Sequence, residues 1–253
     1  MPAGLLSAVR DIKRDAGFYT RLIEAGLFIS AYLLLLYLHS FASPIDFTPL
    51  MLSRWNLSTL AFCHKIMSRN AWMALFFKVI YYGGLSMALV PGAAYLLLTK
   101  RYLLFDRMIY AFIVAYGITF PIFFTFTTNE PLWAGVGFKE DIMLWQGQSL
   151  ASTNFMTKPN FTFPSGHVFL TTIVAAIYFH VESRIKYFFY ALAVLVPLTT
   201  LLLGQHWIED VPAGFDVAIF ALLFTSKYGD EYSKRIDLLQ EKLQTFWQRA
   251  LKK

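Results

Sequence analysis

An all-α bundle of about six membrane-spanning helices, with both termini in the cytoplasm, is the fold class this sequence predicts. Three observations predict it. Of the 253 residues, 57% are hydrophobic and 15% charged, too few polar side chains to cover a soluble domain of this length. Apolar runs recur near the roughly 20 residues that a helix needs to cross about 30 Å of hydrocarbon. Lys and Arg gather on alternate connections between those runs.

The spans fall at about 22–39, 71–98, 108–127, 167–180, 187–204 and 211–225. The first, second, third and fifth stand on their own length. The fourth and sixth are short, and the alternation of the connections requires them. The first run is too long and begins too late for a cleavable signal, and no small-residue cleavage site follows it. Ahead of it, residues 1–21 carry Arg10, Lys13, Arg14 and Arg21, as either a surface helix or a solvated basic leader. Behind the last span, 226–253 reads as a cytoplasmic basic amphipathic helix. Its apolar stripe is Ile236, Leu239, Leu243, Phe246, Trp247 and Ala250, suited to lie along the inner leaflet. The domain plan is therefore 1–21, a membrane domain 22–225, and the tail 226–253.

Orientation follows from charge. With the N-terminus inside, the cytoplasmic segments hold 16 Lys and Arg and the outer segments hold 5. The positive-inside rule supports that placement. A net charge of +6 is then explained by orientation and anionic lipid headgroups, and no nucleic-acid motif accompanies it. The lone Cys63 excludes an internal disulfide framework and a Cys-based metal site. Small size and a bare polytopic plan favour a bacterial inner membrane, with the outer loops facing the periplasm.

Two polar segments fall on the outer face. In Phe163-Pro164-Ser165-Gly166-His167 a loop becomes a span. Pro suits a first helical turn, Ser165 can cap it, and Gly166 allows close backbone approach. Free N–H groups at a helix start bind phosphate, and His167 just inside could give a proton to a leaving oxygen. An ordinary helix cap with an interfacial His explains the segment equally well when it is taken alone. The second segment is Gly204-Gln205-His206-Trp207-Ile208-Glu209-Asp210. His206 and Asp210 are four apart, so on a helix start they share a face. A carboxylate on one ring nitrogen would leave the other as a nucleophile.

These segments, with Val211-Pro212-Ala213-Gly214 following, resemble the type 2 phosphatidic acid phosphatase family of membrane lipid phosphatases and phosphotransferases. The six-span plan and outward-facing site are similar too. The resemblance implies a metal-independent reaction without a cofactor, acting on a lipid phosphate among membrane lipids. It implies His206 as the nucleophile that forms a phosphohistidine, Asp210 as its orienter and His167 as general acid. Ser165 and the Gly166 N–H are implied as phosphate ligands.

The chain also departs from the family. The first motif, Lys, six residues, then Arg-Pro, has no counterpart at the outer end of the third span. Lys100 and Arg107 have the spacing, but Met108 follows and both fall in an expected cytoplasmic loop. Where the third motif has Ser-Arg before its His, this chain has Thr199 and Thr200. Both phosphate-clamping arginines are therefore missing, and Arg is the side chain suited to bidentate phosphate binding. Lys139 and Lys158 are the outer-loop cations that could partly substitute, and loop solubility explains them as well. Sphingomyelin synthases, distant relatives acting on phosphodiesters, resemble this chain in using two His and an Asp without that arginine. Headgroup transfer, and a non-catalytic binding or scaffold role, stay open beside hydrolysis. Elsewhere Glu140 and Asp141 read as a solvated pair, Asp216 as an interfacial acid, and His39, His64 and His180 as interfacial. Lys78 reads as snorkelling or facing the bundle.

Overall fold

Ten elements are defined in the computed structural model, which describes residues 15–52, 56–129 and 162–250. Apolar runs bounded by polar caps become helices. Asp15 caps α1 (Ala16–His39) by accepting from the Phe18 N–H, and Asn70 caps α4 (Ala71–Leu98) through the Met73 N–H. Between them lie β1 (Ile45–Asp46), α2 (Thr48–Leu52) and α3 (Asn56–Arg69). Then follow α5 (Tyr102–Thr125), β2 (Phe126–Thr127), α6 (Gly166–Phe179), α7 (Ile185–Leu202) and α8 (Asp210–Ala250). The two short strands pair in parallel, Ile45 with Phe126 and Asp46 with Thr127.

The protein is an all-α membrane bundle. Among the described residues α1, α4, α5, α7 and α8 are long and apolar enough to cross a membrane, and α6, with 14 residues, is shorter. Their outward faces are apolar: Leu27, Val90, Val194 and Leu223 are all exposed. Such faces suit lipid, which demands only that backbone groups be satisfied within the helix.

Helix α6 is central. It packs against α4, α5, α7 and α8, while α1 packs against α5 and α8. Val168, Phe169, Ile173, Val174 and Tyr178 on α6 are fully buried. A helix enclosed by protein needs no polar face. It also need not match the full membrane thickness, so its roughly 21 Å length is enough.

The two ends of the bundle are chemically different. At one end Arg21 of α1 makes a bidentate pair with Asp106 of α5, at 2.9 and 2.8 Å. The same guanidinium reaches Asp237 (2.6 Å) and Gln240 (2.9 Å) of α8. Ser233 donates to Asp106, and Tyr232 donates to Glu24. Lys100 pairs with Asp15, and Arg107 with Asp230. The Lys100–Arg107 spacing is thus spent on ion pairs at the end remote from the histidines.

Helix α8 runs without a break from Asp210 to Ala250, so the last expected span and the expected tail helix are continuous. Within the described tail, Leu239 and Phe246 are exposed. The face toward the bundle is polar: Ser233 is buried, Tyr232 and Gln240 are half-buried, and the exposed Asp237 reaches the buried Arg21 from the rim. Removing one partner of a buried pair strands the other charge, at about 3–5 kcal/mol. Asp106→Ala should therefore lower the melting temperature in detergent sharply. The double variant Arg21→Met with Asp106→Leu should recover most of the loss. Unchanged melting of Asp106→Ala would remove the clamp from the account of stability.

Candidate functional site

At the opposite end the N-terminus of α6, the turn after α7 and the N-terminus of α8 converge. Two features bring them together. The Ser165 N–H donates to the Asp210 carbonyl at 3.0 Å. At Gly214 a Cβ would stand 2.8 Å from the Ser165 carbonyl oxygen and 2.8 Å from Val168 Cβ, so a side chain there would push α6 and α8 apart. The chain leaves α7 through Gly204 at φ 65°, a conformation natural to glycine. The Thr200 carbonyl then accepts from the Gln205 N–H (2.9 Å) and the His206 N–H (3.2 Å).

This turn sets the His206 ring. His206 precedes α8 rather than lying on it, and Asp210, the first residue of α8, reaches back. Asp210 Oδ2 accepts from His206 Nδ1 at 2.9 Å and from the Trp207 N–H at 2.9 Å. With its proton on Nδ1, the ring presents the Nε2 lone pair on the other side. Ser165 Oγ lies 3.1 Å from that Nε2. Ser165 takes the N-cap position of α6, but its hydroxyl makes no cap hydrogen bond. This corrects the capping expectation: the hydroxyl is committed to the imidazole. The first turn of α6 consequently keeps the Gly166, His167 and Val168 N–H groups without partners among the described residues.

Burial governs the protonation of His206. Ser165 and Asp210 are fully buried and His206 nearly so. Desolvation pushes the His206 pKa down to about 4, against a hydrogen bond to the Thr162 backbone that raises it. Burial disfavours the cation, so His206 is a neutral imidazole across the physiological range.

His167 stands on the other side of the opening. Its ring centroid is 6.0 Å from that of His206, nearly edge-on. It stacks on Tyr81 of α4 with centroids 4.6 Å apart and planes at 21°. The two imidazoles thus lie edge to face, close enough together to act on one phosphoryl group.

The structure thus brings Ser165, Gly166, His167, His206 and Asp210 together. Lys139 and Lys158 lie outside the described residues. Thr199 and Thr200 supply no substitute for arginine, because their buried hydroxyls donate to the Val196 and Pro197 carbonyls. Among the described residues no three of His, Cys, Asp and Glu form a group able to hold a metal ion.

Two supporting residues escaped sequence reasoning. Tyr81 sits inside an apolar span, where nothing marks it as facing a His 86 positions away. Trp207 was read only as part of a motif, yet its indole N–H donates to the Asn129 carbonyl at 2.8 Å. Asn129 N–H in turn donates to Thr48, so the loop at the end of α5 buttresses the His206 turn.

The family model of the PAP2 superfamily matches residues 52–224, a stretch that contains both His-bearing segments. An uncharacterized protein of Methanocaldococcus jannaschii is 28% identical over 227 residues, covering 86% of this chain and 89% of its own length. No solved structure matches the chain.

Proposed function

The chain belongs to the PAP2 superfamily, and from that premise we propose that it hydrolyses or transfers a lipid phosphate group through a phosphohistidine at the non-cytoplasmic face of its membrane. One observation carries the reading: Asp210 holds His206 Nδ1, which turns Nε2 toward the Ser165 hydroxyl beside His167. His206 Nε2 attacks phosphorus and forms the P–N bond. The P–O bond to the lipid breaks, and His167 protonates the departing oxygen. His167, now neutral, takes a proton from water or an acceptor alcohol. That oxygen attacks phosphorus, the P–N bond breaks, and His206 returns to its starting state. Asp210 stabilises the charge that the ring carries in the intermediate. Ser165 Oγ and the free N–H groups of α6 receive the phosphoryl oxygens. The outward orientation rests on the Lys/Arg asymmetry, with the Arg21 cluster at the cytoplasmic end.

A second reading, transfer of a phosphodiester headgroup, is favoured by Thr199 and Thr200 standing where an arginine clamp would be. A diester carries one negative charge where a monoester carries nearly two.

The purified protein should be assayed against phosphatidic acid, a prenyl diphosphate, lipid A and phosphatidylcholine. Labelled phosphate on the productive substrate should be trapped on His206 as an acid-labile, alkali-stable adduct. Turnover of none of the four with no trapped label would defeat the catalytic reading and leave a binding role. Release of free phosphate from the monoesters would decide against the diester preference.

A further inference from the structure

Lys78 lies on α4 with only 8% of its surface exposed. It has no hydrogen bond or ion pair among the described residues. The stem is enclosed, but the Nζ is not sealed from solvent, so the ammonium keeps a path to water and to a ligand arriving from it.

Its position shows what it faces. The buried residues of α4 include Ala74, Lys78, Tyr81, Gly84 and Ala88, a single stripe turned into the bundle. Tyr81 on that stripe stacks on His167. Ala74 and Tyr81 pack with Leu203, the residue just before the His206 turn. Lys78 lies between those two, one turn from Tyr81, about 4.5 Å along the axis toward the N-terminus of α4. That terminus is at the histidine end of the bundle. Lys78 therefore sits one turn from the Tyr81–His167 stack, on its outer side.

We propose that Lys78 is the cation that binds the substrate's phosphate group at this site, in the position of need left by the missing arginines. The proposal rests on the phosphate-ester reading given above. As a single flexible point charge, Lys neutralises one anionic oxygen without imposing a bidentate geometry. Lys78 has no anionic partner among the described residues, and the phosphate would supply one. A charge-assisted hydrogen bond of this kind contributes roughly 1.5–3 kcal/mol, equivalent to about 10- to 100-fold in affinity.

The test uses full-length protein in detergent with inorganic phosphate as the probe, read by calorimetry. Lys78→Met should weaken phosphate binding at least about tenfold, and Lys78→Arg should stay within a few-fold of wild type. A measurement on the unmodified chain covers a Met variant that fails to fold: phosphate should slow acylation of Lys78 by an amine-selective reagent, read by peptide mass spectrometry. It should leave the exposed Lys234 unaffected. Unchanged affinity in a folded Lys78→Met variant, or no protection of Lys78, overturns the proposal. So does a wild type that binds no phosphate. The two readings fail separately. A trapped phosphohistidine with Lys78-independent binding defeats only the role of Lys78. Lys78-dependent binding with no trapped adduct defeats only the catalytic cycle.

Discussion

Replacing His206 with Ala is expected to reduce kcat by at least about four orders of magnitude, because it removes the atom that bonds to phosphorus. Folding should survive. Asp210 Oδ2 keeps its bond from the Trp207 N–H, and the Ser165 N–H still donates to the Asp210 carbonyl. The variant should insert, melt near the wild type, and accumulate no phosphoryl adduct. Normal turnover in a purified His206→Ala sample would remove His206 as the nucleophile. The same residue sets a pH expectation. Its folded pKa of about 4 lies below the ordinary value near 6.5, so the neutral ring is present above pH 4. The contribution to stability from burying this neutral ring is complete above about pH 6.5 and is lost as pH falls toward 4. An acid limb in kcat/KM from His206 should therefore appear near pH 4. A limb near neutrality that vanishes in His206→Ala would contradict the burial argument.

Asp210→Asn is expected to lower kcat by about a thousandfold with little change in KM. Asp210 Oδ2 accepts two hydrogen bonds, and Oδ1 is buried with no partner among the described residues. An amide must therefore choose. With its oxygen toward Trp207 and His206 it keeps the ring in place but loses the negative charge beside a developing imidazolium. With its NH2 group there, it opposes the Trp207 N–H and turns the ring to the tautomer that protonates Nε2. Either way the step through His206 slows while phosphate binding persists. Nitrogen NMR of the imidazole distinguishes the two cases. An Asp210→Asn enzyme with near-normal kcat would show that the carboxylate serves only to shape the turn.

Much of the molecule was legible in the residue order. Apolar runs of span length mark helices because lipid leaves the backbone no alternative. The expected 71–98 coincides with α4 (Ala71–Leu98), whose Asn70 cap and C-terminal polar residues bound it on both sides. Helices α5 and α1 begin six residues before the expected spans. Their second turns hold Arg21 and Asp106, charges that read as loop when taken singly and are buried once paired. The same cluster ties the tail to the bundle: Asp237 and Gln240 bond a guanidinium on α1, more than 200 positions earlier.

For the site, local order was enough to nominate Ser165, His167, His206 and Asp210, because their chemistry and spacing are carried by two short segments. Tertiary structure alone decided how they relate. It moved the Ser165 hydroxyl from capping α6 to the Nε2 of His206, set the two imidazoles 6.0 Å apart, and laid Tyr81 against His167. It also placed Lys78 on the inward stripe of α4 that carries Tyr81, with no partner among the described residues. Sequence periodicity reports which face of a helix is apolar. What that face meets depends on how helices distant in the chain pack, and here that packing determines which charges are neutralised within the protein and which await a ligand.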